Sequence, residues 1–147
     1  MKKPIVFLVV GHANWGKSLT ISALTGGRRG RVQLLGDPFF IRRMSNDDPP
    51  VSKYRAFILR RDPTVDPLVV APYCPETNPA SPLLRAWDAG YTLSFWVLRD
   101  DYYGRWRITP AEIARLRRRG PVRIFSGSRI EASARARALR RFIDTQL

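Results

Sequence analysis

The chain alternates continuous apolar runs with stretches in which apolar residues recur every three or four positions. Pro4-Ile5-Val6-Phe7-Leu8-Val9-Val10 is apolar throughout, the pattern of a parallel strand covered on both faces. A helix-compatible run follows and stops at Gly26-Gly27, where glycine suits a left-handed C-cap. Val32-Gln33-Leu34-Leu35 reads as a second, short strand ending at Gly36-Asp37-Pro38, and Phe39 to Met44 as a helical turn. Ser45-Asn46-Asp47-Asp48-Pro49-Pro50 reads as loop. Ser52 is a cap for a helix through Tyr54, Phe57, Ile58 and Leu59, and Pro67 to Pro72 is a third buried strand. Ser81-Pro82 opens a helix running to Ala89-Gly90, and Tyr91 to Leu98 is a fourth strand. Thr109-Pro110-Ala111-Glu112 is a capping box that starts the next helix, and Val122 to Phe125 is a fifth strand. Ser128-Arg129-Ile130-Glu131 is a second capping box, opening a terminal helix over 128–147. Its apolar side carries Ile130, Ala134, Ala138, Leu139, Phe142 and Ile143, with the arginines at 135, 137, 140 and 141 largely on another side. Strands alternating with helices predict an α/β fold: a single three-layer domain over 1–147 with a mostly parallel, five-stranded sheet.

The junction between the first strand and first helix adds chemistry to this pattern. Gly11-His12-Ala13-Asn14-Trp15-Gly16-Lys17-Ser18 is a complete G-x-x-x-x-G-K-[S/T] phosphate-binding loop, set between strand and helix as the motif requires. Its glycines let successive backbone N–H groups converge on phosphate oxygens, and the helix N-terminus adds its dipole. Gly11 through Leu19 (His12, Ala13, Asn14, Trp15, Gly16, Lys17 and Ser18 between them) are the expected nucleotide contacts. Lys17 would neutralise the terminal phosphates and the Ser18 hydroxyl would ligate Mg²⁺. ATP with Mg²⁺ is the expected ligand.

Charge widens the picture. The 147 residues carry a formal net charge of +14, almost all of it arginine. That balance suits a polyanionic partner such as nucleic acid, and equally a merely solvated basic face. At 44% hydrophobic and 11% aromatic the chain is globular. Cys74 is the single cysteine, which excludes an internal disulfide and a cysteine-cluster zinc site and fits a reducing, cytoplasmic setting. No apolar segment is long enough for a membrane-spanning helix, and the one following Met1-Lys2-Lys3 is read as a buried strand rather than a signal peptide. His12 is the sole histidine, and no cluster around it suggests a metal site.

Three features bear on the reaction. Asp37, placed directly after strand two, is a candidate base for a hydroxyl proton during phosphoryl transfer, or an ordinary Asp-Pro turn residue. Arg42 and Arg43 are candidates for an acceptor phosphate, or an exposed basic turn. Arg99, Arg105 and Arg107 lie on an irregular segment that could close as a lid (98–120, with the basic helix after it), Arg105 supplying charge to the transferring group. The alternative is a solvated basic face.

The order of strand, phosphate loop, then Asp37 followed closely by Arg42-Arg43-Met44 resembles the small phosphate-loop kinases of the P-loop NTPase superfamily, especially the polynucleotide-kinase and zeta-toxin-like branch. Thr77-Asn78, the helix around Arg85 and Gly90-Tyr91 extend that resemblance over residues 4 to 108. It implies that Asp37 is the base, Arg42 or Arg43 the acceptor ligand and Arg105 or Arg107 the lid arginine of an ATP-dependent transferase acting on a nucleotide or nucleic-acid acceptor. The sequence departs from that pattern at Ala71-Pro72, where the family often carries an acid, with Glu76 a few residues on. Two other classes stay open. One is a non-catalytic module binding nucleic acid through its arginines, with Trp15, Tyr103 and Trp106 stacking bases. The other is a GTPase, for which Asp101-Tyr102-Tyr103-Gly104 supplies a D-x-x-G but nothing supplies an N-K-x-D.

Overall fold

The computed structural model describes residues 3–48, 50–75 and 81–147. One six-stranded sheet forms its centre: β1 (Ile5–Val10), β2 (Gly30–Leu34), β3 (Asp37–Ile41), β4 (Leu68–Tyr73), β5 (Thr92–Leu98) and β6 (Val122–Phe125). Five helices join them: α1 (Lys17–Thr25), α2 (Val51–Leu59), α3 (Pro82–Asp88), α4 (Pro110–Arg117) and α5 (Ala132–Gln146). The strand order is β2-β3-β4-β1-β5-β6, parallel except where β2 meets β3.

The sheet has one strand more than the five the sequence predicts. Leu35 and Gly36, both at positive φ (54° and 82°), make a two-residue turn, so Phe39, Phe40 and Ile41 are strand and not a helical turn. Pro38 tolerates this because Gln33 faces it one step from the turn's closing pair, at a site where the antiparallel ladder needs no N–H. Its other side lies beyond the β3–β4 ladder, which is paired at Phe40 and Ile41. The second capping box also does not form. Gly127 and Arg129 take positive φ, and α5 begins only at Ala132, with no side-chain cap from Glu131. At α4 the Thr109–Glu112 box is complete. The N-cap of α2 is Pro50 rather than Ser52.

Right-handed crossovers fix the layers. The chain leaves β1 toward β3 and β4 but leaves β3, β4 and β5 in the opposite direction, which puts α1 on one face and α2, α3 and α4 on the other. α5 lies on α1, and its Phe142 meets Phe7 of β1 edge-on at 6.3 Å. Across the sheet Tyr54, Phe57, Trp87 and Tyr91 form a ring-on-ring cluster. β1 is buried from Val6 to Val10, as its unbroken apolar run requires. Opposed crossovers diverge above the C-terminal ends of β1 and β4, and that divergence opens a crevice in sheets of this kind.

Candidate functional site

The loop Gly11–Ser18 occupies that crevice. Asn14 (φ 64°) and Gly16 (φ 87°) are both left-handed, which curls the chain before α1 begins at Lys17. Gly16 contributes no side-chain cap, and the first helical bond runs from Thr20 N to Gly16 O at 2.9 Å. The N–H groups of the first turn therefore have no acceptor within the helix. Lys17 is buried, and its ammonium donates to the carbonyls of Gly11 (2.7 Å) and His12 (2.8 Å). Burial lowers its pKa, and the neighbouring Asp47 carboxylate opposes that shift.

Asp47 comes from the segment after β3. Its Oδ1 lies 3.7 Å from Lys17 Nζ. The segment is held there by Asn46, whose side chain accepts from Cys74 N (2.6 Å) and donates to Cys74 O (3.0 Å) at the end of β4. Asp48 closes the turn by accepting from Ser45 N at 2.8 Å. A cavity of about 310 Å³ results, lined by Asn14 to Leu19 and by Arg43, Ser45, Asp47 and Asp48. A second hollow of about 590 Å³ adjoins it and shares Ser18 and Arg43, with Arg29, Arg42 and Met44 also on its wall. Arg42 stands over the Tyr54 and Phe57 rings (5.3 and 4.9 Å), and burial lowers its pKa.

The far wall of the loop is tied to α4 and β4. His12 Nε2 is 3.5 Å from Glu112 Oε2, and its Nδ1 is 4.0 Å from Cys74 Sγ. Trp15 packs edge-on against His12 and is 7% exposed, so it is a core residue and no base-stacking platform.

Asp37 is not at this site. Through β4, Phe40 is level with Val6, and Asp37 precedes it on a strand parallel to β1. At ~3.3 Å per residue Asp37 lies roughly 25 Å from Gly11, at the opposite end of the parallel strands. The β2–β3 hairpin is the cause, because it reverses the chain just before Asp37 and sends the C-terminal end of β3 toward the loop. The acids beside Lys17 are instead Asp47 and Asp48, from the loop that follows β3.

The predicted lid arginines are held elsewhere. Asp100 takes Arg99 (3.2 Å) and Arg107 (3.1 Å), and Asp101 accepts from Arg105 N and Trp106 N (2.7 and 3.0 Å). The D-x-x-G is thus a self-closed turn, and none of Arg99, Arg105 and Arg107 lines the cavity around Lys17. Burial pushes the Asp100 carboxyl up, but the Gly127 N–H and the two arginines outweigh it and leave it below the usual range. Hydrogen bonds from Trp106 and Arg105 N–H do the same for Asp101. Tyr103 and Trp106 are 59% and 70% exposed at the tip of this turn. Glu76, Thr77 and Asn78 lie outside the described residues.

The donor set suits Mg²⁺. That ion takes one or two carboxylates and completes its shell with water and substrate oxygen, and Ser18, Asp47 and Asp48 line one cavity. Among the described residues no three His, Cys, Asp or Glu side chains form a metal-holding group. No helix among the described residues is long and apolar enough to cross a membrane. No family model matches the chain, and neither a curated protein nor a solved structure matches it. What the structure defines is an α/β protein whose mostly parallel sheet carries a glycine-curled loop, a buried lysine and two acids at one crevice.

Proposed function

We propose that the chain is a P-loop NTPase-type phosphotransferase that binds a nucleoside triphosphate, ATP, with Mg²⁺ and passes its terminal phosphoryl group to an anionic acceptor. The observation that carries this reading is the cavity in which Lys17, the open N-terminus of α1, Ser18, Asp47 and Asp48 face one another. Lys17 and the first-turn N–H groups would bind the phosphates. Ser18 and Asp48 would hold Mg²⁺, which supplies charge neutralisation for the phosphates. The base is Asp47 in place of Asp37. As the acceptor oxygen bonds to phosphorus and the bond to the leaving diphosphate breaks, the acceptor's hydroxyl proton passes to the Asp47 carboxylate. Arg42, Arg43 and Arg29 around the adjoining hollow favour an acceptor that carries phosphate, a nucleotide or a nucleic-acid end.

The test is transfer of labelled γ-phosphate from ATP to a panel of nucleosides, nucleotides and 5′-hydroxyl oligonucleotides. Asp47→Asn should lower kcat by about 100-fold or more while ATP affinity stays within a few fold, and Asp37→Asn should leave both unchanged. Unimpaired transfer by Asp47→Asn overturns the base assignment, and a wild-type protein that binds no nucleoside triphosphate overturns the whole reading.

The exposed turn favours a second reading, a non-catalytic module that binds single-stranded nucleic acid. Arg105 and Arg129 stand over Tyr103 at 5.6 and 5.9 Å, with Trp106 bare beside them. That reading predicts salt-sensitive oligonucleotide binding, lost in Tyr103→Ala with Trp106→Ala, and no transfer to any acceptor.

A further inference from the structure

Arg135 lies in the second turn of α5 and is 7% exposed. Among the described residues its Nε is buried with no hydrogen-bond partner. The guanidinium lies against Gly16 of the loop: a Cβ built on Gly16 would stand 2.7 Å from Nη2 and 3.2 Å from both Cζ and Nη1. Burying a guanidinium is costly unless it is paired and hydrogen-bonded. Burial lowers the Arg135 pKa, although Glu131 one turn earlier and Tyr102 both favour the charged form. An under-partnered buried cation therefore sits on the glycine next to Lys17, at a loop built to receive anions.

We infer that Arg135 is a second phosphate ligand, acting across Gly16 from the Lys17–Asp47 cavity and binding the phosphates that stay on the nucleotide after transfer. This rests on the nucleotide-binding reading above and adds to it a contact from the C-terminal helix. Lys17 and Asp47 lie on the cavity side of the loop, where transfer takes place, and Arg135 does not line that cavity. A ligand contact by Arg135 therefore concerns the part of the nucleotide common to substrate and product. ATP and ADP should depend on it equally, and the transfer step should not.

The experiment is calorimetric titration of the full chain with ATP and ADP, each with Mg²⁺, for wild type, Arg135→Gln, Arg135→Lys and Leu139→Ala. The last removes packing from the same buried face of α5 without touching the loop charge. Thermal midpoints without ligand are recorded in parallel. Arg135→Gln should weaken ATP and ADP alike by tenfold or more, Arg135→Lys should recover part of the loss, and Leu139→Ala should lower the midpoint while leaving affinity within twofold. Equal affinity in wild type and Arg135→Gln overturns the inference alone. So does a loss in Leu139→Ala as large as that in Arg135→Gln, which would make Arg135 a packing residue. A wild type that binds neither nucleotide overturns both the inference and the reading beneath it.

Discussion

Gly16 is required at its position for two separate reasons. Its φ of 87° is left-handed, which costs any residue with a Cβ about 1–2 kcal/mol. Beyond that, the Cβ would collide with the Arg135 guanidinium. Gly26, the C-cap of α1, shares the first reason (φ 62°) but not the second, since a Cβ there meets nothing within 4 Å. Urea unfolding should thus show Gly26→Ala losing about 1–2 kcal/mol and Gly16→Ala losing clearly more. Only the Gly16 change should also abolish nucleotide binding. Arg135 itself was within reach of sequence reasoning. It stands four and seven residues before Leu139 and Phe142, both on the buried face. Helical spacing alone places it with them; its charge is what argued for the solvent side. Asp47 was less visible, because only the Asn46–Cys74 bonds between distant segments bring it to Lys17.

At the scale of elements, local signals were sound where they rested on backbone geometry and weaker where a turn decided direction. The unbroken apolar runs of β1, β4 and β5 appear as central strands, and Ser81 with Pro82 starts α3 as read, its hydroxyl accepting from Leu84 N. The two capping boxes look alike in sequence, yet only that of α4 closes. Thr109→Ala should accordingly cost about 1 kcal/mol, whereas Ser128→Ala should change thermal stability little. Equal losses would mean that α5 begins where the sequence pattern puts it. The hairpin at Leu35-Gly36 lacks the Asn-Gly or Asp-Gly signature of such turns, and Pro38 argues against strand. That one hairpin puts Asp37 at the opposite end of the strands from the phosphate loop.

For the whole molecule, protonation sets the limits of stability. Asp100 and Asp101 hold lowered pKa values in the fold. Their contribution is complete above the ordinary carboxylate range and disappears as pH falls through the lowered values. Tyr91, whose hydroxyl donates to Asp66 O, is pushed from 10.0 to about 12, first by burial and then by Asp66. Its contribution is complete below pH 10 and fades between pH 10 and about 12. Thermal midpoints should therefore be flat across the neutral range and fall below about pH 4. At the alkaline end they should fall again while one tyrosine resists ionisation in ultraviolet titration. With a net charge of +14, self-repulsion adds to the acid loss, and moderate salt should raise the midpoint throughout.

In the fold Lys17 is held by the Gly11 and His12 carbonyls and the Asp47 carboxylate. On the nucleotide-binding reading proposed above, an entering phosphate must take the ammonium from them, so association would be an exchange with a release step in front of it. That reading predicts a gate: the observed rate should climb with nucleotide concentration and then level off at the rate of release. Trp15, packed on His12 at the centre of the loop, is placed to report it by fluorescence in stopped flow. Asp47→Asn, which loosens one of the three holds, should raise that plateau.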